Sequence, residues 1–123
     1  MIGVVLCDDV PQLRTLLRFA LEDDDSIEVL GEAGDGAEGV QLVTDLRPSV
    51  VIVDLAMPGM DGLEAIPRMR AASPGTAIIV FSGFVADGIA DQVLALGADR
   101  YLEKGSDMEL VAQAVVELGR AAL

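Results

Sequence analysis

Three aspartates, one serine and one lysine stand where short apolar runs end. Asp8 and Asp9 follow IGVVLC, Asp54 follows VVIV, Ser82 closes AIIVF, and Lys104 follows RYLE. Brought together, three carboxylates repel one another and their pKa values rise unless a positive charge compensates. A hard cation with oxygen ligands does that, and Mg²⁺ keeps several waters while it does so. Mg²⁺ and a lysine together form a receptor for a dianionic phosphoryl group. A carboxylate such as Asp54 can act as nucleophile and become an aspartyl phosphate. Ser82 would hydrogen-bond a phosphoryl oxygen and Lys104 would neutralise another. Taken singly, each residue also has a structural reading: Asp8 and Asp9 cap a helix, Asp54 forms an Asx turn, and Ser82-Gly83 is an ordinary turn pair.

These residues converge only if the elements before them lie side by side. Ile2 to Cys7 is apolar and β-branched, as a buried strand should be. Leu13, Leu16, Leu17, Ala20 and Leu21 recur at helical spacing, which predicts a helix from about Pro11 to Glu22, with Pro11 in its first turn. Further strands are expected at Ile27–Ala33, Val50–Val53, Ala77–Phe81 and from Arg100 to Leu102. Helices are expected from Asp35 to about Leu46, after Asp61, around Asp87–Leu96, and from a Ser106–Glu109 capping box to about Leu118. Pro67, inside the third helix, should kink it or cost about 3 kcal/mol. Strands apolar on both faces, alternating with helices, belong to a parallel sheet covered on both sides. The expected architecture is one domain, residues 1–123, with a doubly wound, flavodoxin-like α/β sheet; its order of 2-1-3-4-5 rests on analogy and the right-handed crossover rule. In such a sheet ligands bind beyond the C-terminal strand ends, where the five polar residues fall.

Composition narrows the chemistry. The 123 residues carry 21 acids, 8 bases and no histidine, for a formal charge of −13. Hydrophobic residues make up 52%, too many for a disordered acidic tail. This balance opposes direct binding to nucleic acid or to anionic membranes, because both reward positive charge. Without histidine the commonest general base and zinc ligand is missing. Cys7 is the single cysteine, which excludes an internal disulfide. Its apolar surroundings mark it as a buried small hydrophobe rather than a reactive thiol. The chain start has no basic region before its apolar run, so no signal peptide is expected, and the cytoplasm is the default compartment. Gly34-Asp35-Gly36-Ala37-Glu38-Gly39 fits a dinucleotide fingerprint on paper. A strand and helix precede it, and a pyrophosphate would meet negative potential there. The preferred reading gives Gly34 and Gly36 to a turn, Asp35 to a cap and Gly39 to close helix packing.

The segments VVLCDDVPQLRTLL, VVIVDLAMPGMDGLEAI, IIVFSG and GADRYLEKG, in this order and spacing, resemble the receiver domains of bacterial two-component response regulators. The resemblance covers nearly the whole chain. SIEVLGEAGDGAEGVQLV resembles receivers joined to DNA-binding domains of the LuxR/NarL type. By this resemblance, Asp54 takes a phosphoryl group from a phosphohistidine on a histidine kinase or phosphotransfer protein. Asp9 and Asp54 ligate Mg²⁺, Asp8 acts largely through water, and the backbone carbonyl of Ala56 is a further ligand. Ser82 and Lys104 hold the phosphoryl group. Tyr101 moves inward with Ser82, which reshapes the surface of the fourth helix, fifth strand and fifth helix. That surface is where family members dimerise or meet an output domain. The chain is then a signalling switch rather than a turnover enzyme, and the receiver part of a transcriptional regulator.

Two departures stand out. Gly105 replaces the proline that usually follows the lysine, so a trans bond or a looser loop is expected. Ala56 and Phe84, which border the phosphoryl site by resemblance, are apolar and orient no water, so a long-lived phosphorylated state is expected. Three other readings are weaker. An aspartate-nucleophile phosphatase needs an acid two residues past the nucleophile, where this chain has Ala56. A pseudo-receiver that only binds proteins would not need all of Asp8, Asp9, Asp54, Ser82 and Lys104. A flavin carrier needs a hydroxyl-rich phosphate loop after the first strand, where this chain has acids.

Overall fold

A computed structural model describes residues 1–83 and 87–122 of the chain. Strands and helices alternate: β1 Ile2–Cys7, α1 Pro11–Glu22, β2 Ile27–Ala33, α2 Gly36–Leu46, β3 Val50–Val53, α3 Gly62–Ala72, β4 Ala77–Ser82, α4 Ile89–Leu96, β5 Arg100–Glu103 and α5 Met108–Ala122. The strands form one parallel sheet of order β2-β1-β3-β4-β5, the order expected by analogy with flavodoxin-like sheets. The order reverses direction at β1, between β2 and β3. That reversal opens a crevice beyond the C-terminal strand ends.

The pleat explains why the central strands read as unbroken apolar runs. Alternate residues of each strand face opposite sides, and both sides are covered. Val5, Cys7, Val51, Val53, Ile78 and Val80 pack with α2, α3 and α4, through Val43, Ala65, Ile66, Met69 and Val93. Ile2, Val4, Leu6, Val50, Ile52, Ile79 and Phe81 pack with α1 and α5, through Leu17, Leu21, Val111, Ala114 and Val115. Two cores on one sheet hold the strand ends level. Cys7 pairs with Val53, and Val53 with Val80. The residues that follow these positions therefore emerge along one edge.

Local geometry departs from expectation at four places. α5 is capped by Asp107, whose carboxylate accepts the Glu109 amide at 3.0 Å. Ser106 is instead held in an isolated bridge with Lys104, which removes it from the capping position. α4 begins at Ile89 rather than near Asp87, because Gly88 takes a left-handed φ of 80° at its cap. α3 runs from Gly62 to Ala72 through Pro67 without interruption. Pro67 is exposed, so its ring stands on the solvent side of the helix, where a carbonyl deprived of its amide partner can reach water. Gly36 serves close approach as well as a turn: a Cβ there would lie 2.2 Å from the Met60 carbonyl oxygen, whose partner is the Gly36 amide. Gly39 packs as expected, since its Cβ would lie 2.5 Å from the Cys7 sulfur. Asp35 caps α2 by accepting the Glu38 amide at 2.8 Å. Two glycines of the dinucleotide-like motif, Gly36 and Gly39, are thus taken up by packing.

Candidate functional site

The loop after β1 fixes Asp8 through all of its polar groups. Its amide donates to Ala33 of β2, and its Oδ1 accepts the Val10 amide at 2.8 Å in an Asx turn. That turn leads into α1, whose N-cap position is Val10 with no side-chain cap. The structural reading of Asp8 as a helix cap is therefore only half right, because its carboxylate serves the turn and faces the site. Asp9, one residue on, is exposed. Beyond β3, the Asp54 amide donates to the Cys7 carbonyl and prolongs the ladder by one residue. The backbone of Asp54 is crowded by α3: a Cβ on Gly62 would lie 2.4 Å from the Asp54 carbonyl oxygen. Only glycine lets the helix start that close.

The carboxylate of Asp54 collects three donors. Ser82 Oγ donates to its Oδ1 at 2.8 Å, and the Ala56 amide approaches the same oxygen at 3.4 Å. Lys104 Nζ donates to Oδ2 at 2.8 Å. The same ammonium lies 2.9 Å from Asp8 Oδ2, so one lysine bridges two acids that are each only 4% exposed. Lys104 reaches this position because its amide donates to the Ser82 carbonyl, which carries β5 one residue past its last strand position. Gly105 follows with a φ of 100°, a conformation that glycine adopts without strain. The described residues contain no cis peptide bond, in keeping with the trans expectation at Lys104–Gly105.

Charge balance explains the ionisation of the cluster. Burial pushes the Asp8 carboxyl up, and the nearby Asp54 charge adds to this, while the Val10 amide and Lys104 pull it down without cancelling the rise. Burial also disfavours the Lys104 ammonium, but its bonds to Asp54 and Asp8 prevail and hold its pKa above the usual lysine value. The ammonium is thus locked in its charged form. Beneath the site, the Cys7 thiol is pushed up to about 12, by burial first and then by the surrounding acids Asp35, Asp8, Glu38 and Asp54. It stays protonated and unreactive, as its apolar setting suggests.

Asp8, Asp9 and Asp54 each offer an oxygen within 4.8 Å of the others. An all-oxygen set of this size suits a hard divalent cation, and two of its members are already gathered around a positive charge. Ala56 is exposed beside them. It lines a cleft of about 580 Å³ with Asp9, Leu55, Met57, Pro58, Asp61 and Leu63. Tyr101 is half-buried on β5, paired with Val80 and packed against the α2–α4 core. Burial raises its phenol pKa, helped by Glu103. Phe84 lies outside the described residues.

The sequence reading overlooked one group of residues. Arg14 on α1 donates from Nη1 to the Asp8 carbonyl at 2.6 Å and from Nε to Glu32 Oε1 at 3.0 Å. Arg18, one turn on, donates to Glu32 Oε2 from Nε and Nη2. Two arginines four apart on a helix, with one acid near the end of a neighbouring strand, were a legible signal.

A doubly wound parallel sheet with three clustered acids at its switch crevice, one of them bonded to a hydroxyl and an ammonium, defines a phosphoacceptor type of domain rather than an independent catalyst. The family profile described as the response regulator receiver domain matches residues 4–116, and the chain belongs to that family. It is 42% identical over 115 residues to the transcriptional regulatory protein LiaR of Bacillus subtilis, covering 94% of this chain and 54% of that protein. It is 43% identical over 108 residues to the nitrate/nitrite response regulator NarL of Escherichia coli K12, covering 86% and 48%. The chain therefore spans about half the length of the curated relatives it matches. Among solved structures, the signal receiver domain of a NarL response regulator from Mycobacterium tuberculosis superposes with a TM-score of 0.91 at 33% identity, over 97% of this chain and 96% of that one. No helix among the described residues is long and apolar enough to cross a membrane.

Proposed function

We propose that the chain is a phosphorylation switch in which Asp54 accepts a phosphoryl group from a phosphohistidine. The carrying observation is the double engagement of Asp54, by Ser82 on one oxygen and Lys104 on the other. One Asp54 oxygen forms the new P–O bond as the P–N bond to the donor imidazole breaks, and the imidazole, protonated beforehand on its other ring nitrogen, leaves as the neutral base. Lys104 neutralises one phosphoryl oxygen and Ser82 donates to another. Asp9, Asp54 and the Ala56 carbonyl, with Asp8 through water, would hold Mg²⁺. When bound, Mg²⁺ supplies charge neutralisation on the transferring group. The donor is a histidine kinase or phosphotransfer protein, as for the family.

Ser82 and Tyr101 are the proposed switch pair. Ser82 now bonds the Asp54 carboxylate, and a phosphoryl group there would turn its hydroxyl inward to a phosphoryl oxygen and free space that Tyr101 would fill as it moves inward. The α4–β5–α5 surface would change in consequence, and it would meet an output domain or a second copy. The resemblance to LiaR and NarL supports a place in a transcriptional regulator. Ala56 and Phe84, which cannot orient water, would make the phosphorylated state long-lived.

Incubation with a small phosphodonor and Mg²⁺, read by intact mass, tests the proposal. One added phosphoryl group, absent in Asp54→Ala, is the expected result. No addition with several donors would favour a protein-binding module that has kept the fold without the chemistry, and loss of the group within seconds would overturn its long lifetime.

A further inference from the structure

We infer that Arg14 is the positioning residue for the acidic loop, a strut that holds the Asp8–Asp9 backbone in the conformation a divalent cation needs. This rests on the cation reading of the site given above. The observation is a chain of contacts from the loop to the sheet. The Asp8 carbonyl receives Arg14 Nη1 at 2.6 Å, Arg14 Nε meets Glu32 Oε1 at 3.0 Å, and Arg18 Nη2 meets Glu32 Oε2 at 2.6 Å. Glu32 belongs to β2, which pairs with β1 directly behind the loop, Leu6 opposite Glu32. The strut therefore ties the peptide between Asp8 and Asp9 to the edge of the same sheet that presents Asp54.

Three features favour positioning over simple surface charge. Arg14 is largely covered, with its side chain 19% exposed, so its bonds are not idle solvent contacts. Its planar fork serves a carbonyl and a carboxylate at once, from two nitrogens in fixed relation, which a lysine cannot do. Asp9 is the exposed member of the acidic cluster. Its place is set by the peptide that joins it to Asp8, which is the peptide Arg14 holds.

The sign of the effect separates this role from electrostatics. Removing a positive charge near a dication site should tighten Mg²⁺ binding if charge alone mattered. Loss of the strut should weaken it, by about 10-fold or more, as for other residues that orient metal ligands. The experiment is calorimetric titration of the whole chain with MgCl₂ alone, without phosphodonor, for wild type, Arg14→Ala, Arg14→Lys and Arg18→Ala, with thermal melts of each. Arg14→Ala and Arg14→Lys are expected to weaken Mg²⁺ about 10-fold, while Arg18→Ala, which leaves the Arg14–Asp8 bond in place, stays within about 2-fold of wild type. Arg14→Lys keeps the charge and carries the test if Arg14→Ala does not fold. Unchanged or tighter binding in the Arg14 variants overturns the inference, and so does an equal loss in Arg18→Ala. Failure of wild type to bind Mg²⁺ would instead overturn the cation reading itself.

Discussion

The cluster of acids is held together at a cost that sits mainly on Asp8. Its carboxyl is raised by burial and by Asp54, with Lys104 compensating in part. A carboxyl with a raised folded pKa binds its proton more tightly in the folded state. Its contribution to stability is therefore greatest at low pH and falls as pH rises through the interval above the usual carboxylate value. Asp8→Asn should make the protein more stable near pH 7 without divalent ions, while weakening Mg²⁺. Thermal melts with and without MgCl₂ check this; a less stable variant would show that the Lys104 bridge outweighs the burial of charge. Glu32 behaves in the opposite sense. Its bond to Arg18 first, and to Arg14, lowers its pKa against the effect of burial. Its stabilisation is full above the ordinary carboxylate pKa and is lost as pH falls through the lowered one. Because the pair is partly exposed, its worth is below about 1 kcal/mol.

At the scale of elements, helix ends decide how the site is presented. α5 begins just after the loop that carries Lys104, and its cap is Asp107. Asp107→Ala should lower stability by about 1 kcal/mol, whereas Ser106→Ala should change it by a few tenths at most. Chemical denaturation of the two variants separates them; equal losses would return the capping role to Ser106. Both residues fit a cap pattern, and the sequence favours Ser106 because Glu109 stands three positions on. The bridge between Lys104 and Ser106 decides against it by drawing Ser106 into the turn. α4 shows a similar limit: a charged residue at Asp87 invites a helix start, but Gly88 takes the left-handed conformation and sets the start at Ile89. The central strands β1, β3 and β4 were legible almost to the residue, because a run with both faces buried tolerates few polar side chains.

The whole molecule carries a formal charge of −13 on 123 residues, and this acts on stability through self-repulsion. Two effects of added salt are separable. NaCl raised from about 10 to 150 mM shortens the Debye length from about 30 to 8 Å and should raise Tm modestly. MgCl₂ at the same ionic strength should raise it further, since an ion bound only by the folded state stabilises by mass action. Melts at matched ionic strength test this, and equal shifts would mean that screening alone acts. Asp54→Ala should abolish most of the extra shift.

Much of this protein was determined by the sequence alone. Apolar strands and amphipathic helices in strict alternation permit few arrangements other than a doubly wound parallel sheet, and the polar residue after each strand must then fall on one edge. Asp8, Asp9, Asp54, Ser82 and Lys104 were all found in that way. Tertiary structure decided how they engage. Lys104 bridges Asp8 and Asp54 across 96 and 50 positions of chain, and no local pattern encodes which oxygen it meets. The spacing of Arg14 and Arg18 pointed to a shared acidic partner, but only the pairing of β2 with β1 and the packing of α1 on β2 bring Glu32 and the Asp8 carbonyl to Arg14. Burial patterns repeat every two or 3.6 residues and can be read along a chain, whereas a hydrogen bond between distant side chains depends on the register and packing that bring them within 3 Å.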